Sequence, residues 1–105
     1  MNRAMQAILI AGTKMKEDVL YGRKKITIRE GHKDYTGGPV LIGCDLLNWA
    51  TRKKIISVRY TTVGEVTNKE CMDDGIGANL NLMIELQKYY PNLTMDSPVT
   101  VIRWE

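Results

Sequence analysis

Apolar positions in this chain fall into short runs with a period near two, broken by glycine, proline and asparagine, and only two stretches repeat at helical spacing. Ala7-Ile8-Leu9-Ile10-Ala11, ended by Gly12, reads as a buried strand. Thr13 can cap a short helix in which Met15, Val19 and Leu20 recur at helical spacing, and Gly22 is placed to end it. Ile26-Thr27-Ile28-Arg29 alternates as a half-buried strand does. A loop bracketed by Gly31, Gly37, Gly38 and Pro39 leads to a strand at Val40 to Cys44, with Leu46 to Trp49 as a candidate continuation and a turn over Thr51 to Lys54. Ile55 to Val63 is the clearest strand, with Ile56, Val58 and Tyr60 on one face. Asn68 to Ala78 reads as a loop carrying Gly75 and Gly77, of the kind that often bears function. A second helix starts at Asn79 or Asn81 and runs through Leu82, Met83, Leu86 and Tyr90 to Pro91, and Val99 to Trp104 closes the chain as a strand. The sum is an α+β protein: a small, mostly antiparallel β-barrel of five to six strands with two peripheral helices. Strands that follow one another directly through the middle of the chain disfavour parallel βαβ units.

Composition narrows this picture. With 105 residues, 44% apolar and 26% charged, residues 1–105 form one domain with enough apolar material for a core. No apolar run approaches the roughly 20 residues of a spanning helix, and the early one is too short for a signal peptide, so a cytoplasmic protein without membrane partners is expected. Cys44 and Cys71 lack CxxC pairing, so two buried thiols are expected and no metal site. The net charge of +3 is mild, but Arg23, Lys24, Lys25 and Arg29 form one basic cluster and Arg52, Lys53 and Lys54 another. Such clusters suit a phosphate-bearing ligand or single-stranded RNA, and equally a solvated surface.

Chemistry comes into view through a resemblance. Val19-Leu20-Tyr21-Gly22-Arg23-Lys24-Lys25-Ile26-Thr27-Ile28-Arg29 resembles the signature of the ASCH family: a helix end, Gly-Arg-Lys, one residue, an aliphatic, Thr or Glu, an aliphatic and Arg. Val40 to Gly43 and Ile55 to Thr67 are similar to later strands of that family, and Asp74-Gly75 with the helix ending at Tyr90-Pro91 to its last block. The resemblance implies a PUA-like barrel. Within the family, the chain's size and its Gly-Arg-Lys run resemble small bacterial amidohydrolases that convert N4-acetylcytidine to cytidine and acetate with a Thr–Lys–Glu set. Lys24 and Thr27 match two members of that set, and Asp74 stands where the glutamate is, with Asp73 the next candidate.

Amide hydrolysis needs a nucleophile, a base to take its proton and donors for the oxyanion. The resemblance makes Thr27 the nucleophile, Lys24 the base and Asp74 an orienting carboxylate. A free lysine, with a pKa of about 10.4, must lose its charge to act as a base, and the crowding of Arg23, Lys25 and Arg29 together with burial pushes that way. Residues three apart on a flat strand face opposite sides, so Lys24 must sit in the turn or at a bulge to converge with Thr27, whereas Arg29 shares Thr27's face. Arg29, Arg23, Lys25 and Tyr21 are the candidate substrate-binding residues. Tyr21, Trp49 and Trp104 are able to stack on a base or simply to pack, and His32 has no evident partner in sequence. The reaction needs no cofactor. A modified cytidine nucleoside is the expected partner. Two alternatives stand beside it: an RNA-binding module or ribonuclease using the same basic cleft, and an accessory factor that keeps the barrel without the chemistry.

Overall fold

The computed structural model describes residues 6–10, 15–44, 49–74 and 82–105. Thr13, Leu46 to Asn48, Gly75 to Ala78 and the caps proposed at Asn79 and Asn81 lie outside the described residues. Five strands, β1 (Gln6–Leu9), β2 (Ile26–Glu30), β3 (Gly38–Cys44), β4 (Trp49–Thr62) and β5 (Pro98–Trp104), form one sheet in the order β1-β3-β4-β5-β2. Among the described residues three short helices, α1 (Met15–Leu20), α2 (Asn68–Asp74) and α3 (Leu82–Gln87), accompany it, with a 3₁₀ turn at Val63–Glu65. This is a small α+β, PUA-like architecture.

The 14-residue β4 is the hinge of the sheet. Its first half pairs with β3 and its second half with β5, and Ile55 opposite Trp104 followed by Ser57 opposite Arg103 leaves Ile56 as a bulge. Bulges bend and twist the strand that carries them, and here the bend curls the sheet into a half-barrel. Thr51 to Lys54 are therefore strand, not turn: they oppose Ile42 to Pro39 in register. Their polarity misleads because Arg52 and Lys54 point to the solvated outer face. The pairing is mostly antiparallel as expected, but β1 runs parallel to β3, contrary to the reading that disfavoured parallel units. The chain between them, holding α1 and β2, is long enough for the crossover that parallel pairing requires.

The helices depart from expectation in number and extent. Asn68 to Asp74 form α2 rather than loop. Thr67 and Glu70 make a capping box: the Glu70 amide donates to Thr67 Oγ1 (3.1 Å) and the Thr67 amide to Glu70 Oε1 (2.9 Å). Arg59 reaches the same Glu70 carboxylate through Nε (3.0 Å) and Nη2 (2.6 Å), and Arg103 Nη1 lies 2.9 Å from Asp73, so two arginines of the sheet fasten α2. The described part of the next helix, α3, ends at Gln87, before Tyr90.

Strand alternation sorts the core into two layers. Ile26 and Ile28 of β2 and Val99 and Val101 of β5 face the layer that contains Cys71 of α2 and Leu82 and Leu86 of α3. Ile102 and Trp104 face the inner layer with Ile8, Val19, Ile42 and Trp49. This alternation turns Thr27 and Arg29 toward the inner face. Cys44 and Cys71 are both free and buried, one in each layer, and burial pushes the Cys71 thiol up to about 11. The seam between edge strands β1 and β2 is stitched by side chains: Arg29 Nη2 donates to Leu9 O (2.5 Å) and the Tyr35 hydroxyl to Ala7 O (3.1 Å). These bonds blunt the β1 edge.

Where β3 meets the start of β4, Gly43 leaves no room for a side chain: a Cβ there would run into the Trp49 carbonyl oxygen and lie 3.0 Å from the Ala50 Cα. Both obstacles are backbone, which cannot rotate aside. Gly43→Ala is expected to lower stability by about 1–3 kcal/mol in urea denaturation, the range for overpacking. An unchanged midpoint would mean that the two strands separate freely at this point.

Candidate active site

Gly22, with φ at 78°, turns the chain out of α1, and the Lys24 amide then donates to Asp18 O (2.8 Å), laying the turn back along the helix. This places Lys24 before β2, where the face-parity argument requires it. Its side chain points inward and is only 3% exposed. Nζ donates to Ile26 O (2.8 Å), to Asp74 O (3.2 Å) and to Asp74 Oδ1, and lies 5.9 Å from the centre of the Trp104 ring. Three acceptors match the three protons of an ammonium.

Asp74 ends the described part of α2 and is 6% exposed. Asp73 points elsewhere, to Arg103 and to Lys69 (3.4 Å), because consecutive helical residues diverge by about 100°. Asp74, not Asp73, is thus the carboxylate beside Lys24. Burial lowers the Lys24 pKa against the pull of Asp74, and Arg29 pushes it further down. Burial likewise raises the Asp74 carboxyl against the pull of Lys24 and Arg29. Desolvation thus drives both groups toward their neutral forms. Passing the proton from Nζ to Oδ1 keeps the hydrogen bond and removes both buried charges.

Thr27 lies on β2 opposite Ile102 and is 6% exposed. Its hydroxyl makes no hydrogen bond with the described residues, and none joins it to Lys24. The structure therefore assembles Lys24 with Asp74 and sets Thr27 on the neighbouring strand without a bond to either. Arg29, opposite Thr100, shares Thr27's face. Its Nη2 is held by Leu9 O, while its buried Nε has no acceptor among the described residues. The other candidates lie on the surface. Arg23 pairs with Asp18 (2.7 Å) and sits 5.7 Å from the centre of the Tyr21 ring, which is 74% exposed. Lys25 is exposed, and its backbone bonds to Asp73 O (2.9 Å) and to the Trp104 amide (2.9 Å). His32 packs tilted against Tyr60 at 5.0 Å.

Two features escape sequence reasoning. The contact of Trp104 with Lys24 joins residues at opposite ends of the chain, for which no local signal exists. The helix that delivers Asp74 did have one, the Thr67-x-x-Glu70 capping box. Among the described residues no group of three His, Cys, Asp or Glu side chains could hold a metal ion, and no helix is long and apolar enough to cross a membrane.

The sequence matches no family model, and no curated protein matches it. Its fold does have counterparts. An ASCH domain from Lactobacillus crispatus JV V101 superposes with a TM-score of 0.72 at 11% identity, over 97% of this chain and 79% of that one. Protein EF3133 from Enterococcus faecalis V583, described by the family model DUF984, superposes with a TM-score of 0.71 at 14% identity, over 100% of this chain and 82% of that one. At such identities the likeness is one of architecture, and the half-barrel with its flanking helices is the fold of an ASCH domain.

Proposed function

We propose that the protein is an amidohydrolase that cleaves the N4-acyl amide of N4-acetylcytidine to cytidine and acetate. The observation that carries this reading is the buried Lys24–Asp74 pair beside the strand that bears Thr27. A lysine in a basic turn is ordinarily solvated. This one is buried, and burial lowers its affinity for a proton against the pull of Asp74, as a base requires. The aspartate's shorter side chain suffices where a glutamate is expected because the end of α2 comes close enough for Asp74's own carbonyl to touch Nζ.

In the proposed reaction Thr27 Oγ1 attacks the acyl carbon while its proton passes to the Lys24–Asp74 pair. Bond formation between Oγ1 and carbon puts negative charge on the acyl oxygen, which the protonated Lys24 stabilises. Collapse breaks the carbon–N4 bond, the pair returns the proton to N4, and cytidine leaves. Water then attacks the Thr27 ester under the same base, releasing acetate and restoring the hydroxyl. Catalytic hydrogen bonds are often long before substrate is seated, which accommodates the unbonded Thr27 hydroxyl. Incubating the purified protein with N4-acetylcytidine is expected to yield cytidine by chromatography. Intact substrate after prolonged incubation would overturn the reading.

The pair also sets the pH response. Asp74 is the main influence holding the Lys24 proton in place, so Asp74→Asn leaves the ammonium buried without its counter-charge and lowers the Lys24 pKa further. The acid limb of kcat/KM is expected to move to lower pH in that variant. A limb that stays fixed, or moves up, would assign it to another group. Single-stranded RNA is a second reading, favoured by Arg52 and Lys54, which are exposed and have no ion pair among the described residues. It would appear as binding that weakens steeply with salt.

A further inference from the structure

Two buried donors, Arg29 Nε and Trp49 Nε1, have no acceptor among the described residues. Buried N–H groups in folded proteins are nearly always paired, so two in one inner layer call for a partner. Guanidinium and indole nitrogens only donate. Whatever completes them must bring lone pairs.

The strand register brings the two together. Arg29 Nη2 is pinned to Leu9 O, Leu9 pairs with Gly43, and Gly43 pairs with Ala50, the residue after Trp49. Two strand spacings, about 10 Å, therefore separate the anchored guanidinium from the Trp49 backbone, and the Trp49 side chain covers about half of that span. Trp49 is 9% exposed and packs in the same layer as Ile102, the cross-strand partner of Thr27. Both donors thus belong to the layer onto which the proposed nucleophile faces.

We propose that Arg29 Nε and Trp49 Nε1 hold the 2-oxo edge of the pyrimidine, an assignment that rests on the nucleoside reading above. Cytosine presents two adjacent acceptors there, O2 and N3, and no donor. The spacing agrees: Thr27 and Arg29, two residues apart on one strand, are about 6.6 Å apart along it. The acyl carbon and O2 of an N4-acylcytosine are on the order of 6 Å apart from ordinary bond lengths. With the acyl carbon at Thr27, O2 falls at Arg29, where its two lone pairs accept from both Arg29 Nε and the Trp49 N–H. A uracil ring, which carries N–H at position 3, sets a donor against donors and is rejected.

Cytosine and 4-aminopyrimidine, which lacks the 2-oxo group, separate this assignment from general stacking. By NMR titration the protein is expected to bind cytosine roughly tenfold more tightly than 4-aminopyrimidine. Trp49→Phe keeps the ring packing and removes the N–H. It should weaken cytosine binding about tenfold and leave 4-aminopyrimidine unchanged, so that the preference collapses. In the unmodified protein the Trp49 indole N–H resonance should move downfield with cytosine and stay put with 4-aminopyrimidine, a readout that does not depend on how the variant folds. Tight cytosine binding with an unmoved indole resonance, or a preference that survives Trp49→Phe, overturns the donor pair and leaves the hydrolase reading standing. Failure to bind either base overturns both.

Discussion

Replacing Lys24 with methionine is expected to abolish release of cytidine and to destabilise the fold, and adding Asp74→Leu is expected to restore the stability but not the activity. The single variant strands a carboxylate that is 6% exposed without the ammonium that bonds it. Breaking one side of a buried pair typically costs about 3–5 kcal/mol, whereas replacing both sides with apolar groups of similar volume is often neutral or stabilising. Asp74 has a way to relieve part of that loss. Burial already raises its carboxyl, and without Lys24 it rises further, so the native variant holds a proton that the unfolded chain releases near the ordinary carboxylate value. Stability of Lys24→Met should therefore fall as pH rises from that value through the raised native one, and the double variant should show no such slope. Urea denaturation at pH 5 and pH 8 reads the difference. An equal and small loss at both pH values in the single variant would mean that the pair is solvated and has no poised proton.

What could be read from sequence follows the range over which the determining contacts act. The alternation in Ile26-Thr27-Ile28-Arg29 is local, and it correctly turns Thr27 and Arg29 to one face and the isoleucines to the other. The turn position of Lys24 follows from parity alone. Its burial does not, because burial is conferred by Trp104 and by α2, which are distant in sequence. Helix α2 went unread because a seven-residue helix offers hardly two turns of periodicity and the glycines that follow it dominate the signal. Likewise Arg52-Lys53-Lys54 reads as a turn only if strands are assumed to be apolar. On a half-barrel whose outer face meets water, charged residues occupy every second position of a strand at no penalty. Cross-strand register, which places Trp49 two strands from the one that Arg29 grips, is fixed by pairings that no local pattern specifies.

Thr27→Val should separate chemistry from structure most cleanly. Valine keeps the β-branched shape that suits a strand flanked by Ile26 and Ile28, and the Thr27 hydroxyl makes no hydrogen bond with the described residues. Removing it therefore breaks no bond to the described residues. Stability is expected to hold within about 1 kcal/mol or to rise slightly. Turnover of N4-acetylcytidine is expected to fall by about three orders of magnitude or more, as for removal of an attacking group, while cytosine binding stays within about twofold because the ring's contacts are elsewhere. Thr27→Ser, which retains the hydroxyl on a less restricted side chain, should keep turnover to within roughly tenfold. That pattern would assign the oxygen atom itself. If valine supported turnover at the wild-type rate, water activated by Lys24 would have to attack the acyl carbon directly, and Thr27 would revert to a strand residue kept for its shape.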